Sequence, residues 1–387
     1  MALPLPDITL PQPGSTTLRT VLGLRWSRLG RRLLDVAEHS GDPVGAVVAE
    51  SLRAKLMAEP AAVVAVARRP SIAARLSSDR DRLLGALGDA AFDIAAAGWL
   101  ARPVSLPRST GGFGRRRSAA LGVEFEFAPT MRELVIDDGV LRVDGATFSL
   151  RVPGPPPAGL VVREGWRRVT DRVSLALFDD NPSAQVGFHP ERPENRVDLG
   201  GRSVEAWVEA LREAFDLVDR YMPELTPERR LLAQSVVPVG ADPERHFSCT
   251  YENAPGAMYL SLHPDPVKMA EAVVHEFQHD KLHAVLALDA LLANGEAGGF
   301  RSPVRPDARP LRGVLLAAHA FLPVARMYAA MRRDDHPTTR HPRFAARERE
   351  VTTANAEAMD LLRAHARWTE GGEALRAELE SLFADGA

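Results

Sequence analysis

The stretch HPDPVKMAEAVVHEFQHDKLHAVLAL, residues 263–288, does most to decide the fold of this chain. Asp265 is a favourable helix N-cap and Pro266 suits the first helical position, so the sequence predicts a helix that begins here. The spacing HExxH places His275 and His279 on one face of that helix, about 6 Å apart along its axis. The opposite face is apolar. The pattern therefore predicts a buried helix whose two histidines face a cleft.

Two imidazoles one helical turn apart can bind a single metal ion, because metal–nitrogen bonds of about 2.0–2.1 Å fit this spacing. Glu276 lies about 100° around the helix from His275 and can reach a metal-bound water. We therefore predict a catalytic metal centre with His275, Glu276 and His279 as its catalytic residues. The five-residue motif also occurs by chance in unrelated chains, where such histidines are surface or core residues.

A third metal ligand has to come from elsewhere, because a catalytic ion usually takes three protein ligands. His319 is an isolated polar residue in an apolar helix, a position where a histidine is more often a satisfied core residue than a ligand. His283 lies about 12 Å along the axis from His275, too far to share one ion, and is expected to line the cleft. The candidates for the third ligand are His319 and the carboxylates Asp289 and Glu296.

Outward from the motif, the apolar period divides the chain. Apolar residues recur with the spacing of a helix over residues 18–100 and again over residues 204–221. Over residues 121–199 they recur about every second residue, as in a strand. Residues 107–118, PRSTGGFGRRRS, predict a basic linker, since they lack the Lys-Ser/Thr ending of a phosphate-binding loop. We predict two further strands and three later helices, the first being the motif helix. The strands cover residues 232–239 and 257–262. The motif helix is expected to end near residue 292, and the other two helices to span residues 311–331 and 347–383.

These elements predict an α+β fold in which the HExxH helix lies beside a small sheet. We expect four parts: a helical N-terminal region with a basic linker (1–118), a β-rich segment (119–200), an HExxH catalytic region (201–340) and a C-terminal helical brace (341–387).

Composition narrows the classes of function. The formal net charge of −3 gives no indication of a nucleic-acid-binding surface. Cys249 is the single cysteine and residues 1–6 do not resemble a signal peptide, so we expect a cytoplasmic protein without disulfides. No run approaches the roughly 18 consecutive apolar residues of a membrane span, so no membrane association is expected.

Three segments together resemble the HExxH-motif peptide-modification family, the iron- and 2-oxoglutarate-dependent peptide β-hydroxylases of ribosomal peptide pathways. The segments cover well under half of the chain, and the second of them is more specific than HExxH itself. They are HEFQHDKLHAVLAL (275–288), FRSPVRPDARPLRG (300–313) and AAHAFLPVA (317–325).

This resemblance implies a zincin-like catalytic core that hydroxylates a β-carbon of a residue in a ribosomally made precursor peptide. Iron(II) would be held by His275, His279 and His319, with 2-oxoglutarate and O2 as co-substrates. Arg305 or Arg309 would pair with the distal carboxylate of 2-oxoglutarate, because a guanidinium binds a carboxylate through two hydrogen bonds. The alternative is that both arginines are solvated loop charges. A radical SAM maturase of the same pathway is implied as a further partner.

The peptide would add as an extra strand alongside residues 257–262, with Tyr259, Leu260 and Ser261 as the binding residues. Two other functions remain open. One is an intracellular zinc metallopeptidase in which Glu276 is the general base. The other is a non-catalytic peptide-binding partner of a maturation enzyme. The sequence does not identify the precursor peptide, the residue modified, the role of the N-terminal helices or the oligomeric state.

Overall fold

A computed structural model describes residues 5–108, 113–152, 154–186, 194–301 and 307–386. The chain is 52% helical and 15% strand, which confirms a mixed fold of helices and sheets. The helices, in chain order, are α1 (Thr17–His39), α2 (Pro43–Ala58), α3 (Pro60–Ala67), α4 (Pro70–Ala73), α5 (Arg80–Ala97), α6 (Pro182–Val186), α7 (Val204–Tyr221), α8 (Thr226–Leu232), α9 (Pro266–Leu286), α10 (Leu311–Arg333), α11 (Pro342–His365) and α12 (Glu370–Gly386).

The strands form three sheets, and two short 3-10 helices (Pro223–Leu225 and Pro337–Arg340) precede α8 and α11. The strands are β1 (Val104–Ser105), β2 (Arg115–Ser118), β3 (Val123–Phe127), β4 (Leu134–Asp137), β5 (Val140–Val143), β6 (Ala146–Ser149), β7 (Leu160–Glu164), β8 (Trp166–Arg168), β9 (Ser174–Ala176), β10 (Ser235–Ala241), β11 (Ser248–Thr250) and β12 (Ala257–Leu262).

The N-terminal helices and two of the sheets share one core. β1, β4, β5 and β6 form an antiparallel sheet, and β2, β3 and β7 form another. Apolar side chains from residue 33 to residue 160 pack these sheets against α2 to α5. The segment expected to be only a linker ends in β2, which pairs with β3, so the expected boundary after residue 118 falls within a shared core.

The third sheet supports the motif helix, with strand order β11-β12-β10-β9-β8. Its three central strands are parallel to one another, and the two outer strands are antiparallel to their neighbours. Side chains alternate along each strand. Val236, Met258 and Leu260 therefore join the core that contains α9, whereas Val237 and Tyr259 join a smaller cluster on the opposite face.

Helix α9 begins as expected, because Asp265 caps it by accepting a hydrogen bond from the Val267 amide at 2.9 Å. It ends at Leu286 rather than near residue 292, and Leu291 has a positive φ of 60°. The expected single helix over residues 347–383 is two helices, α11 and α12. The residues between them are extended, and Trp368 pairs there with Leu292.

The two ends of the chain meet at α9. The backbone carbonyl of Thr9 accepts hydrogen bonds from Gln278 Nε2 at 3.0 Å and Lys281 Nζ at 3.1 Å. The amides of Thr9 and Leu10 donate to the carboxylate of Glu378 in α12 at 2.8–3.0 Å. The first described residues are thus fixed between the motif helix and the last helix.

One helix among the described residues, α10, is long and apolar enough to cross a membrane by length and composition. In its most apolar 18-residue window, 72% of the residues are buried inside the protein, as in the core helix of a soluble protein.

Candidate metal centre

The two motif histidines occupy the exposed edge of an otherwise buried helix. From Met269 to Val285, every side chain of α9 is buried except those of His275 and His279, which are partly exposed. Their ring centroids lie 4.3 Å apart with an interplanar angle of 82°. The ring of Phe321, from α10, lies 4.5 Å from that of His275 and forms one wall beside the pair.

Both histidines are neutral at physiological pH. Burial lowers the pKa of His275 to about 4 and holds the pKa of His279 well below its ordinary value. Neutral imidazole is the form that binds a metal, because protonation removes the lone pair of the ligating nitrogen. The Nδ1 atoms of both rings are buried and have no hydrogen-bond partner among the described residues. Two neutral, incompletely partnered imidazoles beside accessible space fit a metal ion.

Glu276 faces the edge strand β11 from within the core. It is 1% exposed, and burial raises its pKa to about 7. The hydroxyls of Ser248 and Thr250 in β11 oppose this rise by stabilising the charged form. A carboxyl with a pKa near 7 can accept and return a proton at neutral pH.

His319 lies in α10 and is fully buried. Its ring nitrogens make no well-formed hydrogen bond among the described residues, and burial lowers its pKa to about 3. The carbonyls of Ile8 and Gln278 oppose this lowering, which places the ring near the N-terminal segment as well as α9. Within the described ranges, no three His, Cys, Asp or Glu side chains form a group that could hold a metal ion. His319 as third ligand stays a prediction.

The two alternative carboxylates have other surroundings. Asp289 accepts hydrogen bonds from the Leu291 amide and the Thr369 hydroxyl, both at 2.8 Å, and so stabilises the turn after α9. The side chain of Glu296 is 82% exposed and lies 3.8 Å from Arg312. Neither contact connects these carboxylates with the histidine pair.

His283 extends the row of histidines along α9. Its ring is nearly parallel to that of His279, with centroids 6.4 Å apart. Burial lowers the pKa of His283 to about 3, and the positive charges of Arg25 and Arg312 lower it further. Arg312, in the first turn of α10, was not singled out from the sequence, yet it lies within electrostatic range of this row.

Of the two arginines expected to bind 2-oxoglutarate, the structure describes only Arg309. Arg305 lies outside the described residues. Arg309 is described, and its Nε lies 2.8 Å from the carboxylate of Asp307. Its backbone also exchanges two hydrogen bonds with Phe300, at 2.8 and 3.1 Å, which close the base of the intervening loop. The guanidinium of Arg309 thus already has a carboxylate partner.

The expectation that a peptide adds alongside β12 is wrong. β12 is paired on one side with β10 and on the other with β11, so neither of its edges is open. Tyr259, Leu260 and Ser261 are also at most 1% exposed. The side chain of Tyr259 donates a hydrogen bond to Asp179 at 2.8 Å, on the sheet face opposite α9. These three residues are structural.

Sequence reasoning missed a buried ionic cluster one turn before the motif. Glu271 pairs with Arg347 of α11 and accepts a hydrogen bond from Tyr328 of α10 at 2.7 Å. The Glu271 carboxylate acts electrostatically on both His275 and His246, whose pKa burial lowers to about 4. The spacing of Glu271 from His275 was a visible signal, but Arg347 is 76 positions away from Glu271 and gave none.

Two comparisons with known proteins bear on this site. No protein-family model matches the chain, and no curated protein gives a significant match.

Proposed function

We propose that this chain is an iron(II)- and 2-oxoglutarate-dependent peptide β-hydroxylase, in which a zincin-like core holds the metal through His275 and His279. The observation that carries the proposal is that these two are the only partly exposed side chains between Met269 and Val285 of a buried helix. The resemblance of the three segments selects iron and 2-oxoglutarate over other metal chemistry. When bound, these cofactors would supply with O2 the oxidising power to break a C–H bond.

The third ligand is proposed to be His319. Its neutral ring, buried without well-formed hydrogen bonds, is chemically suited to binding a metal. The proposal is supported by its electrostatic effect on His279, which shows that the two rings lie within interaction range of each other. A shift of the ring from the side of Ile8 towards the pair is required.

The peptide is proposed to pair with β11, at the edge of the sheet beside Glu276. Phe247 O accepts from the Ser261 amide at 2.8 Å, so the alternation of an antiparallel ladder turns the backbone groups of Ser248 and Thr250 away from β12. Among the described residues, no other strand pairs with β11. Main-chain hydrogen bonds would bind the peptide backbone here, as in other edge-strand complexes.

The cation for the distal carboxylate of 2-oxoglutarate is proposed to be Arg312. Its charge acts on His283, whose ring lies alongside that of His279. Its competing contacts, with Glu252 at 3.4 Å and Glu296 at 3.8 Å, involve exposed side chains and are easily exchanged. Arg309 is the alternative, and it would first have to release Asp307.

The test is anaerobic titration with iron(II) and then 2-oxoglutarate, followed through the weak visible charge-transfer absorption of the complex. We expect the absorption in the wild type, its loss in His279→Ala, and a weaker affinity for 2-oxoglutarate in Arg312→Gln than in Arg309→Gln. His283→Ala is the matched control, since it removes a histidine of the same face that is too far along the helix to share the ion. Iron binding that is equally strong in His279→Ala would refute the proposal.

A zinc metallopeptidase is the second candidate, because Glu276 has its pKa raised to about 7 beside the proposed peptide edge. As general base it would take a proton from a metal-bound water. This function requires that zinc, without 2-oxoglutarate, supports cleavage of a peptide and that Glu276→Gln abolishes the cleavage while retaining zinc. A non-catalytic partner of a cytoplasmic maturation enzyme, such as a radical SAM maturase, would instead keep its pathway function in His275→Ala.

A further inference from the structure

A cavity lies on the face of the five-stranded sheet that is opposite α9, between this sheet and the N-terminal helices and strands. Its volume is about 450 Å³, within the range of roughly 300–1,000 Å³ that is typical of small-ligand sites. The segment between α3 and α4 forms one wall, and β8 with the turn that follows it forms the other. The turn between β2 and β3 lies beside them, and Val237 and Ala257 of the sheet form the floor. His275 and His279 are not among its lining residues.

Four arginines line this cavity: Arg68, Arg69, Arg168 and Arg172. Two of them come from the segment between α3 and α4, and the other two from β8 and the turn that follows it. The carboxylates that line it are Asp171 and Asp179. With all six groups ionised, the lining therefore carries two positive charges more than negative ones.

The internal contacts of these arginines compensate only part of their charge, since Arg69 forms an ion pair with Asp93 and Arg172 one with Asp171. Arg68 donates to the backbone carbonyl of Leu231 at 3.0 Å and stacks over the ring of Trp26, and no carboxylate of the described residues forms an ion pair with it. Arg69 Nε is buried, has no hydrogen-bond partner among the described residues, and lies 3.8 Å from Asp93.

Arg168 and Arg172, on the other wall, both contact Asp171. Arg168 donates to the backbone carbonyl of Asp171 at 3.2 Å, and Arg172 lies 3.7 Å from the carboxylate of the same residue. On this wall, Arg172 is thus near the carboxylate of Asp171, and Arg168 contacts the backbone carbonyl of the same exposed residue.

The arginines of the two walls are close enough to repel one another. The pKa of Arg68 is lowered by burial and further by the charges of Arg69 and Arg172, which belong to different walls. Like charges brought together at a cavity lower the stability of the free protein, and an anion bound between them relieves the repulsion.

We propose that this cavity is a binding site for a ligand with at least two oxyanion groups, carboxylate or phosphate, held by guanidinium forks from both walls. Guanidinium groups suit this ligand class because they bind planar oxyanions through two parallel hydrogen bonds. The ligand is either a free small polyanion or the acidic side chains of a peptide, which present the same chemistry.

The test is isothermal titration of the full chain with pyrophosphate and, separately, with a hexaglutamate peptide. The variants are Arg172→Gln and Arg69→Gln, and the control is Arg31→Gln, which removes the same charge from an exposed position of α1. Arg172 is 63% exposed, so its replacement tests the site without disturbing the core.

We expect Kd for at least one probe to rise about tenfold in each cavity variant and to stay within twofold in Arg31→Gln. Binding of pyrophosphate identifies a free anion as the ligand, and binding of hexaglutamate alone identifies an acidic peptide. Absence of binding by both probes, or equal weakening in all three variants, overturns the proposal. His279→Ala should leave anion binding unchanged, so this site and the metal centre are tested independently.

Discussion

Asp179 gives a quantitative prediction about stability and pH. Burial raises its pKa from 3.8 to about 6, against the opposing effect of the hydrogen bond from Tyr259. Because the folded-state pKa lies above the unfolded one, the folded protein binds the proton more tightly. Its contribution to stability is therefore present at low pH and is lost as pH rises from about 4 to about 6.

The magnitude follows from the size of the shift. About two pKa units at 1.36 kcal/mol each give close to 3 kcal/mol in full, of which about 2 kcal/mol falls between pH 4.5 and pH 7.5. In Asp179→Asn the remaining carbonyl oxygen can accept from the Asn181 amide, as Oδ1 does, whereas an NH2 group replaces Oδ2, the acceptor of the Tyr259 hydroxyl, and the side chain cannot ionise. The lost acceptor shifts stability by an amount that does not depend on pH. Relative to the wild type, the variant should gain about 2 kcal/mol in free energy of unfolding between these two pH values.

Urea denaturation at pH 4.5, 6.0 and 7.5 measures this difference. Asp360→Asn is the matched control, because its side chain is 77% exposed and forms only a surface pair with Arg363. The control should differ from the wild type by a pH-independent amount within about 0.5 kcal/mol. If the difference between Asp179→Asn and the wild type is the same at all three pH values, Asp179 does not titrate as argued.

Two further substitutions test the packing around the candidate metal centre. Lys281→Met leaves the Glu228 carboxylate buried without its partner and should lower the free energy of unfolding, measured by urea denaturation, by about 3–5 kcal/mol. The double variant with Glu228→Leu should recover most of that loss. A double variant as unstable as Lys281→Met alone contradicts this reasoning. Gly256→Ala should cost about 1–3 kcal/mol or more, because φ is +86° and the added Cβ would lie 2.6 Å from the carbonyl oxygen of Leu232; an unchanged denaturation midpoint would show that the turn before β12 relaxes freely.

The elements with local signals could be predicted from the sequence. The N-cap at Asp265 predicted the first residue of α9, and the apolar stripe of α7 predicted that helix and its buried face. The end of α9 could not be predicted, because apolar residues continue past Leu286, and the pairing of Leu292 with the distant Trp368 leaves no local signal. A periodic pattern predicts which face is buried but does not show where the chain turns.

Features that depend on distant partners were the ones missed. β12 resembles an edge strand by itself, and only its pairing with both β10 and β11 shows that it is interior. Arg312 and Arg25 act electrostatically on His283, and the sequence pattern singled out neither of them, whereas the predicted Arg309 pairs with Asp307 and its backbone bonds to Phe300. The HExxH spacing placed the histidine pair on one face, but no local pattern revealed Arg347 beside Glu271.

The contact of Thr9 with α9 and of the same segment with Glu378 has a consequence for biosynthesis. α9 carries the candidate ligands, and part of its lateral support comes from the segment around Thr9 and, through it, from α12. The ribosome releases α9 and the Thr9 segment well before Glu378, which fixes that segment, has been made. The Thr9 segment can therefore be fixed beside α9 only after α12 has emerged, and a chain truncated before α12 should hold the proposed ligands less firmly and bind metal more weakly.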